Sequence, residues 1–476
     1  MAYSNDDQDN GGPSYPTGPW TDRVQFVDEA GSRFAFRPGE VLTTRVDAAE
    51  RTFERVFPGA VQPLARGERV GAFTRLSNVP DVRRLIDELR FERITAQPNH
   101  VFFAHGCCGG CPPHPAAVAG NPVYASPVYA SPVYASPVYA SPVYASPVYA
   151  SPVYASPVYA SPVYASPVYA SPSDPTRATG VRKSSARPAV TPPPANVVAG
   201  LATAAAPGNA RVVILDTGLA GTFPPLALAG GPYAPATTAD TDGPDEFVSP
   251  ATSGDGQLDP AAGHGTFIAG LVNQVAPGSV VELHRVLSTF GDGDERDIVQ
   301  TLNGLSHDPA VASLTIVNLS FGGSALDHPF ELAEAIRDLQ AAGAVVVASA
   351  GNDGSCEATF PAALPGVVGV GALGPNGPAP FSNYGPWVRA CAPGVDLVST
   401  FFDGFTSTST SAGTDPEAFG GWATWSGSSF AGPVVVGALA RMMKACGCTA
   451  KEAVERVVDA PWLYRIPNLG TVVNVV

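Results

Sequence analysis

The 476-residue chain lacks any run of about 18 to 20 uninterrupted apolar residues, the length a helix needs to cross a bilayer, so no membrane span is expected. It also lacks a basic start followed by an apolar stretch. The first ten residues read Met-Ala-Tyr-Ser-Asn-Asp-Asp-Gln-Asp-Asn, so no secretory leader is expected and the cytoplasm is the expected compartment. Charge is sparse, at 14% of residues, and basic charge is sparser still: from Asn196 onward 10 Lys and Arg face 26 Asp and Glu, within a net charge of −15. That balance disfavours nucleic acid and anionic membranes as partners. The seven cysteines are few and odd in number, with three packed into Cys107-Cys108-Gly-Gly-Cys111 and two into Cys446-Gly-Cys448, which argues against a complete disulfide framework.

What remains is 45% hydrophobic, enough for one large domain and one or two smaller units. Residues 1–32 are rich in Gly, Pro, Asp and Asn without periodicity and read as a disordered tail. Over residues 33–105 the pattern becomes compact: strand 34–45, helix 48–57, two strands within 60–76 around a Gly-Glu turn, helix 81–91, strand 95–104. That βαββαβ order fits a small ferredoxin-like α+β domain. Residues 106–197 form a linker that holds the cysteine cluster and, over 122–171, ten copies of Pro-Val-Tyr-Ala-Ser. A proline at every fifth position blocks continuous helix or a central strand. The repeat reads as a semi-rigid spacer; because it holds ten of the chain's fifteen tyrosines, a multi-copy peptide product is the alternative. Over 198–476, short strands rich in Val, Ile and Ala (211–215, 280–286, 314–319, 344–349, 367–372) alternate with helical patterns (266–274, 295–305, 330–342, 429–445). This alternation predicts an α/β domain, a parallel sheet with helices on both faces. In such sheets sites lie at the carboxyl ends of the strands.

Three segments carry chemistry. The apolar run Val212-Val213-Ile214-Leu215 ends in Asp216-Thr217-Gly218, which puts a carboxylate at a strand end, a place where structural and metal roles are also common. Gly263-His264-Gly265-Thr266 opens a helix; its glycines permit a tight turn and leave the imidazole uncrowded, as a proton-transferring base requires. Ser426-Gly427-Ser428-Ser429-Phe430-Ala431-Gly432-Pro433 opens another helix. Ser429 there is either a helix cap or a nucleophile that needs a base for activation.

In that order, Asp, His, Ser, the three segments resemble the aspartate, histidine and serine motifs of the subtilase family, and the resemblance extends over residues 198–445. It implies a subtilisin-like fold and a serine endopeptidase with Asp216, His264 and Ser429 as catalytic triad, working through an acyl-enzyme and processing itself. Ala350-Gly351-Asn352-Asp353-Gly354 resembles the family's oxyanion segment, implying Asn352 as donor, where the string alone reads as a turn. Ser320, Phe321, Gly322 and Gly323 resemble the segment that pairs with the substrate backbone, and Thr359 falls near the floor of the primary pocket. Phe267 and Phe430 depart from the family, which usually has histidine and methionine there.

The 33–105 unit is similar to the family's inhibitory propeptide and is expected to act as an intramolecular inhibitor. The remaining partner expected is a peptide or protein substrate. No cofactor is expected to be required. Calcium is conceivable at the acidic stretch 240–259, without a recognisable ligand spacing. Zinc at Cys107, Cys108 and Cys111 with His100, His105 and His114 is weighed against a plain reducible loop, and the adjacent cysteines favour the loop. The alternative to a peptidase is a repeat-peptide precursor fused to its own releasing protease.

Overall fold

The computed structural model describes residues 23–29, 32–104, 182–183, 210–220, 241–243, 258–277, 279–325, 328–406 and 418–473. The repeats, Cys107, Cys108, Cys111, His105 and His114 lie outside the described residues, as does most of the stretch 240–259.

The N-terminal elements are β1 (Gln25–Glu29), β2 (Ser32–Thr43), α1 (Val46–Val56), β3 (Ala65–Val70), β4 (Phe73–Ser77), α2 (Val82–Phe91) and β5 (Ala96–Ala104). Both helices form because their apolar residues recur at three- and four-residue spacing. Val46, Ala49 and Phe53 of α1 and Val82, Leu85, Ile86 and Leu89 of α2 are buried in one cluster with Phe34, Phe36, Val41 and Leu76. The antiparallel sheet runs β5-β2-β4-β3, with β1 hydrogen-bonded to β2. Two expectations need correction. Strand β1 falls inside the stretch read as a disordered tail, because Phe26 stacks on Phe103 at 5.9 Å and gives that segment an apolar anchor. The hairpin turns at Gly71, with φ +58°, and not at Gly67-Glu68, where the β3–β4 register merely shifts.

The larger unit contains β6 (Arg211–Asp216), α3 (His264–Val275), β7 (Val280–Arg285), β8 (Asp292–Asp294), α4 (Glu295–Gly304), β9 (Thr315–Leu319), β10 (Phe321–Gly322), α5 (Phe330–Ala342), β11 (Val345–Ser349), β12 (Val368–Gly374), β13 (Val388–Pro393), β14 (Leu397–Thr406), β15 (Ala418–Trp425), α6 (Ser428–Cys446), β16 (Arg465–Ile466) and β17 (Gly470–Val472). The central sheet runs β7-β6-β9-β11-β12-β13-β17-β16 and is parallel as far as β17. Its middle strands are largely apolar because both faces are covered; β9 and β11 are buried throughout. Helix α6, apolar around most of its circumference, packs on β9, β11, β12, β13 and α3. The antiparallel pair β14–β15 lies against α3. Three strand ends, at Asp216, Leu319 and Ser349, open on one edge of this sheet beside the start of α6.

Candidate active site

Asp216 is the last residue of β6 and is fully buried. Its Oδ1 accepts the Thr217 N–H at 2.8 Å and lies 2.7 Å from Nδ1 of His264. Local backbone makes this approach possible. Gly263, with φ +77°, turns the chain into α3, and a Cβ there would sit 2.2 Å from the Phe401 ring. A Cβ on Gly265 would sit 2.4 Å from Gly218 O, so only glycine lets the first turn of α3 close on the end of β6. The Gly265 N–H donates to Thr217 Oγ1 at 2.9 Å and completes that junction. A carboxylate on Nδ1 favours a proton on that nitrogen and leaves Nε2 as the acceptor. His264 Nε2 is buried with no hydrogen-bond partner among the described residues.

The imidazole is packed by the Phe430 ring at 5.2 Å and the Trp425 ring at 5.4 Å. Phe430 follows Ser429 directly, so the start of α6 and the His264 ring are held together. Phe267, one departure from the family pattern, meets the Phe430 ring, another, at 4.7 Å with the two rings tilted. The two substitutions fill one space jointly. Trp425 completes this group at 5.1 Å from Phe430; it was not singled out from the sequence, where only its position ahead of the serine motif could have marked it.

Ser429 is the second residue of α6. Its hydroxyl donates to Ser320 O at 2.8 Å, so in this resting arrangement it faces the substrate-type segment and not His264. The adjacent Ser428 is used structurally, its Oγ accepting the Gly351 N–H at 3.1 Å. Asn352 meets the same helix start, with Oδ1 accepting the Ser428 N–H at 2.8 Å. The Gly351–Asp353 turn is held from below by Asn383, whose Oδ1 accepts from Asp353 N at 2.9 Å and Ser355 N at 3.1 Å, while its Nδ2 donates to Thr359 Oγ1 at 3.1 Å. Thr359 thus lies beside the turn that carries Asn352, and Phe360 pairs with Gly323 through two backbone bonds of 3.0 and 2.9 Å.

Ser320, Phe321 and Gly322 line a slot that the same chain already fills. Strand β5 runs antiparallel between β8 and β10, with Phe321 opposite Ala104, Gly322 opposite Phe103 and Gly293 opposite Phe102. Ala104 N–H donates to Gly291 O at 2.9 Å. All nine residues of β5 are buried, and Phe102 and Ala104 belong to the core cluster of the larger unit. Polar contacts reinforce the docking: Gln97 Oε1 accepts the Phe330 N–H at the start of α5 at 3.0 Å, and Asn99 Oδ1 accepts the Arg296 N–H of α4 at 3.2 Å. Asp292, fully buried, takes Arg23 at 3.1 Å and Arg37 at 3.0 Å. His100 lies 2.6 Å from Glu295 Oε2 and is fully buried, so its ring is committed to a carboxylate across the contact. No group of three or more potential metal-binding side chains occurs among the described residues.

The Subtilase family model matches residues 208–458. The chain is 32% identical over 205 residues to the thermostable alkaline protease of Halalkalibacterium halodurans, covering 41% of this chain and 50% of that protein. It is 31% identical over 207 residues to subtilisin DY of Bacillus licheniformis, covering 40% of this chain and 67% of that protein. The chain spans about half the length of the first of these and of the thermophilic serine proteinase of a Bacillus species, 50% and 48%. A solved cold adapted subtilisin-like serine proteinase is similar over 56% of this chain and 88% of its own, at 22% identity and a TM-score of 0.40.

Proposed function

We propose, since this chain belongs to the subtilase family, that it is a serine endopeptidase acting through Asp216, His264 and Ser429. The observation that carries the reading is the buried Asp216–His264 pair at 2.7 Å, packed through Phe430 against the helix start that bears Ser429. Ser429 Oγ attacks the scissile carbonyl carbon and passes its proton to His264 Nε2. The imidazolium, steadied by Asp216, gives that proton to the leaving amine as the C–N bond breaks. Water then repeats the sequence on the acyl-enzyme and restores Ser429. Asn352 and the Ser429 N–H donate to the oxyanion. In the resting state Ser429 Oγ donates to Ser320 O. An incoming strand that continues the pairing past Phe321 claims that carbonyl, which frees the hydroxyl to turn to Nε2; such bonds commonly form only once substrate is bound.

The N-terminal unit then acts as an inhibitor in the same chain, with β5 in the substrate's place. This is β-strand addition, in which main-chain bonds supply affinity. The register puts Ala104 opposite Phe321, so the next residue in sequence, His105, is the one due opposite Ser320, and the bond after it is the expected self-cleavage position. The test is expression of wild type and Ser429→Ala side by side, with a fluorophosphonate probe and N-terminal sequencing of fragments. Wild type is expected to label at Ser429 and to yield a fragment beginning at Gly106, and Ser429→Ala to do neither, whereas Ser428→Ala keeps most of its labelling. A label on Ser428, or an identical fragment from Ser429→Ala, would overturn the assignment. Fragments differing by five residues would instead favour release of the repeats.

A further inference from the structure

Helix α6 contains a proline, Pro433, in its second turn. Proline has no backbone N–H, and its ring crowds the carbonyl four residues before it. Here that carbonyl belongs to Ser429. It is left without a helical donor in a buried place, where an unpaired carbonyl is costly. A different element supplies the donor: the Ser320 hydroxyl donates to Ser429 O at 2.8 Å. In return the Ser429 hydroxyl donates to Ser320 O, also at 2.8 Å. Two residues 109 positions apart thus exchange a reciprocal pair of bonds. Asn318 orients the Ser320 side chain, with Nδ2 donating to Ser320 Oγ at 2.9 Å, and Asn318, Ser320 and Ser429 are all buried.

We propose that the side chain of Ser320 is a positioning residue for hydrolysis: it replaces the N–H that Pro433 lacks and so fixes the first turn of α6 against the strand that receives the substrate. This rests on the reading of Ser429 as nucleophile, and it gives a role to a side chain of which that reading uses only the backbone. Holding nucleophile and oxyanion donors in register with the substrate strand acts on turnover, because small displacements of reacting groups are costly in rate. Substrate pairing through the Ser320 backbone survives loss of the hydroxyl, so the Michaelis constant is insensitive to it.

The experiment is a double-mutant cycle in the full chain. Ser320→Ala is made in the wild-type and in the Pro433→Ala backgrounds, and kcat and KM are measured on a fluorogenic peptide copied from residues 100–106. In the wild-type background Ser320→Ala is expected to lower kcat about tenfold or more with KM within about twofold. In the Pro433→Ala background residue 433 has its own N–H for the Ser429 carbonyl, and the loss is expected to shrink to less than about threefold. If Ser320→Ala fails to fold alone, recovery of its fold and activity by Pro433→Ala is the same result read through stability. An equal loss in both backgrounds, no loss in either, or failure to fold in both would overturn the proposal. Wild type that neither cleaves the peptide nor labels with fluorophosphonate would instead remove the nucleophile assignment on which it stands.

Discussion

His264 shows how individual residues share the work of this site. One ring nitrogen meets Asp216, two aromatic rings hold the plane, and Nε2 is buried without a hydrogen-bond partner among the described residues. Asn352, proposed above as an oxyanion donor, has its Oδ1 tied to Ser428 N, which sets the plane of its amide. Asn352→Ala is therefore expected to lower kcat by about a hundred- to a thousandfold, a magnitude borrowed from subtilisin, with little change in KM. Steady-state kinetics on a fold-checked variant measures it, and an unchanged kcat removes Asn352 from the oxyanion site. The Asp216–His264 contact was legible in sequence because each residue sits in a short string whose neighbours serve the same turn. The clasp between Ser320 and Ser429 was not readable, because it depends on a backbone donor missing at Pro433 and on a partner from a remote strand.

At the scale of elements, helix positions were legible wherever apolar periodicity was strong. Helix α5 matches the expected 330–342, α4 is a residue shorter at its C-terminal end than the sequence reading, and α6 is a residue longer at each end. Strands β13 and β14–β15 were missed, since Val-Arg-Ala-Cys-Ala-Pro is short and ends in proline, and the apolar residues of the hairpin are interrupted by Asp and Gly without a regular alternation. The missed hairpin matters to the site because it backs α3: Ser399 Oγ donates to Phe267 O at 2.6 Å and Thr400 Oγ1 to Thr266 O at 2.9 Å. Gly270 lets the helix approach that closely, since a Cβ there would lie 2.2 Å from both hydroxyl oxygens. Gly270→Ala is expected to destabilise the protein by about 1 to 3 kcal/mol through overpacking, despite the better helix propensity of alanine. Thermal unfolding measures this; an unchanged or raised Tm would show that α3 can move away from β14 at no cost.

At the scale of the whole molecule, the contact between the two units buries acidic groups as well as apolar ones. Glu331, near the start of α5, has neither carboxylate oxygen hydrogen-bonded among the described residues. Burial first, then the neighbouring charge of Glu295, pushes its carboxyl up from 4.5 to about 9; Glu334 and Asp294 act in the same direction and Arg296 opposes them. The folded state therefore holds a proton that the unfolded state releases more readily. The stabilisation this gives is complete below about pH 4.5 and is lost as pH rises towards about 9. Tm is expected to fall across that window and Glu331→Gln to flatten the fall; the same slope in both proteins would assign the dependence to other groups.

The same contact has a consequence for molecularity. Strand β5 pairs with β2 over Ala96–His100 and lies between β8 and β10 over Val101–Ala104, so its hold on the slot does not depend on the bond that follows Ala104. While the chain is continuous, the slot sees β5 at an effective concentration fixed by the tether, and its occupancy is the same at any dilution. Once the connector is cut, the identical contacts become a bimolecular complex governed by mass action. Under the inhibitory role proposed above, cleavage alone leaves the slot filled in a concentrated solution, and dilution is expected to empty it.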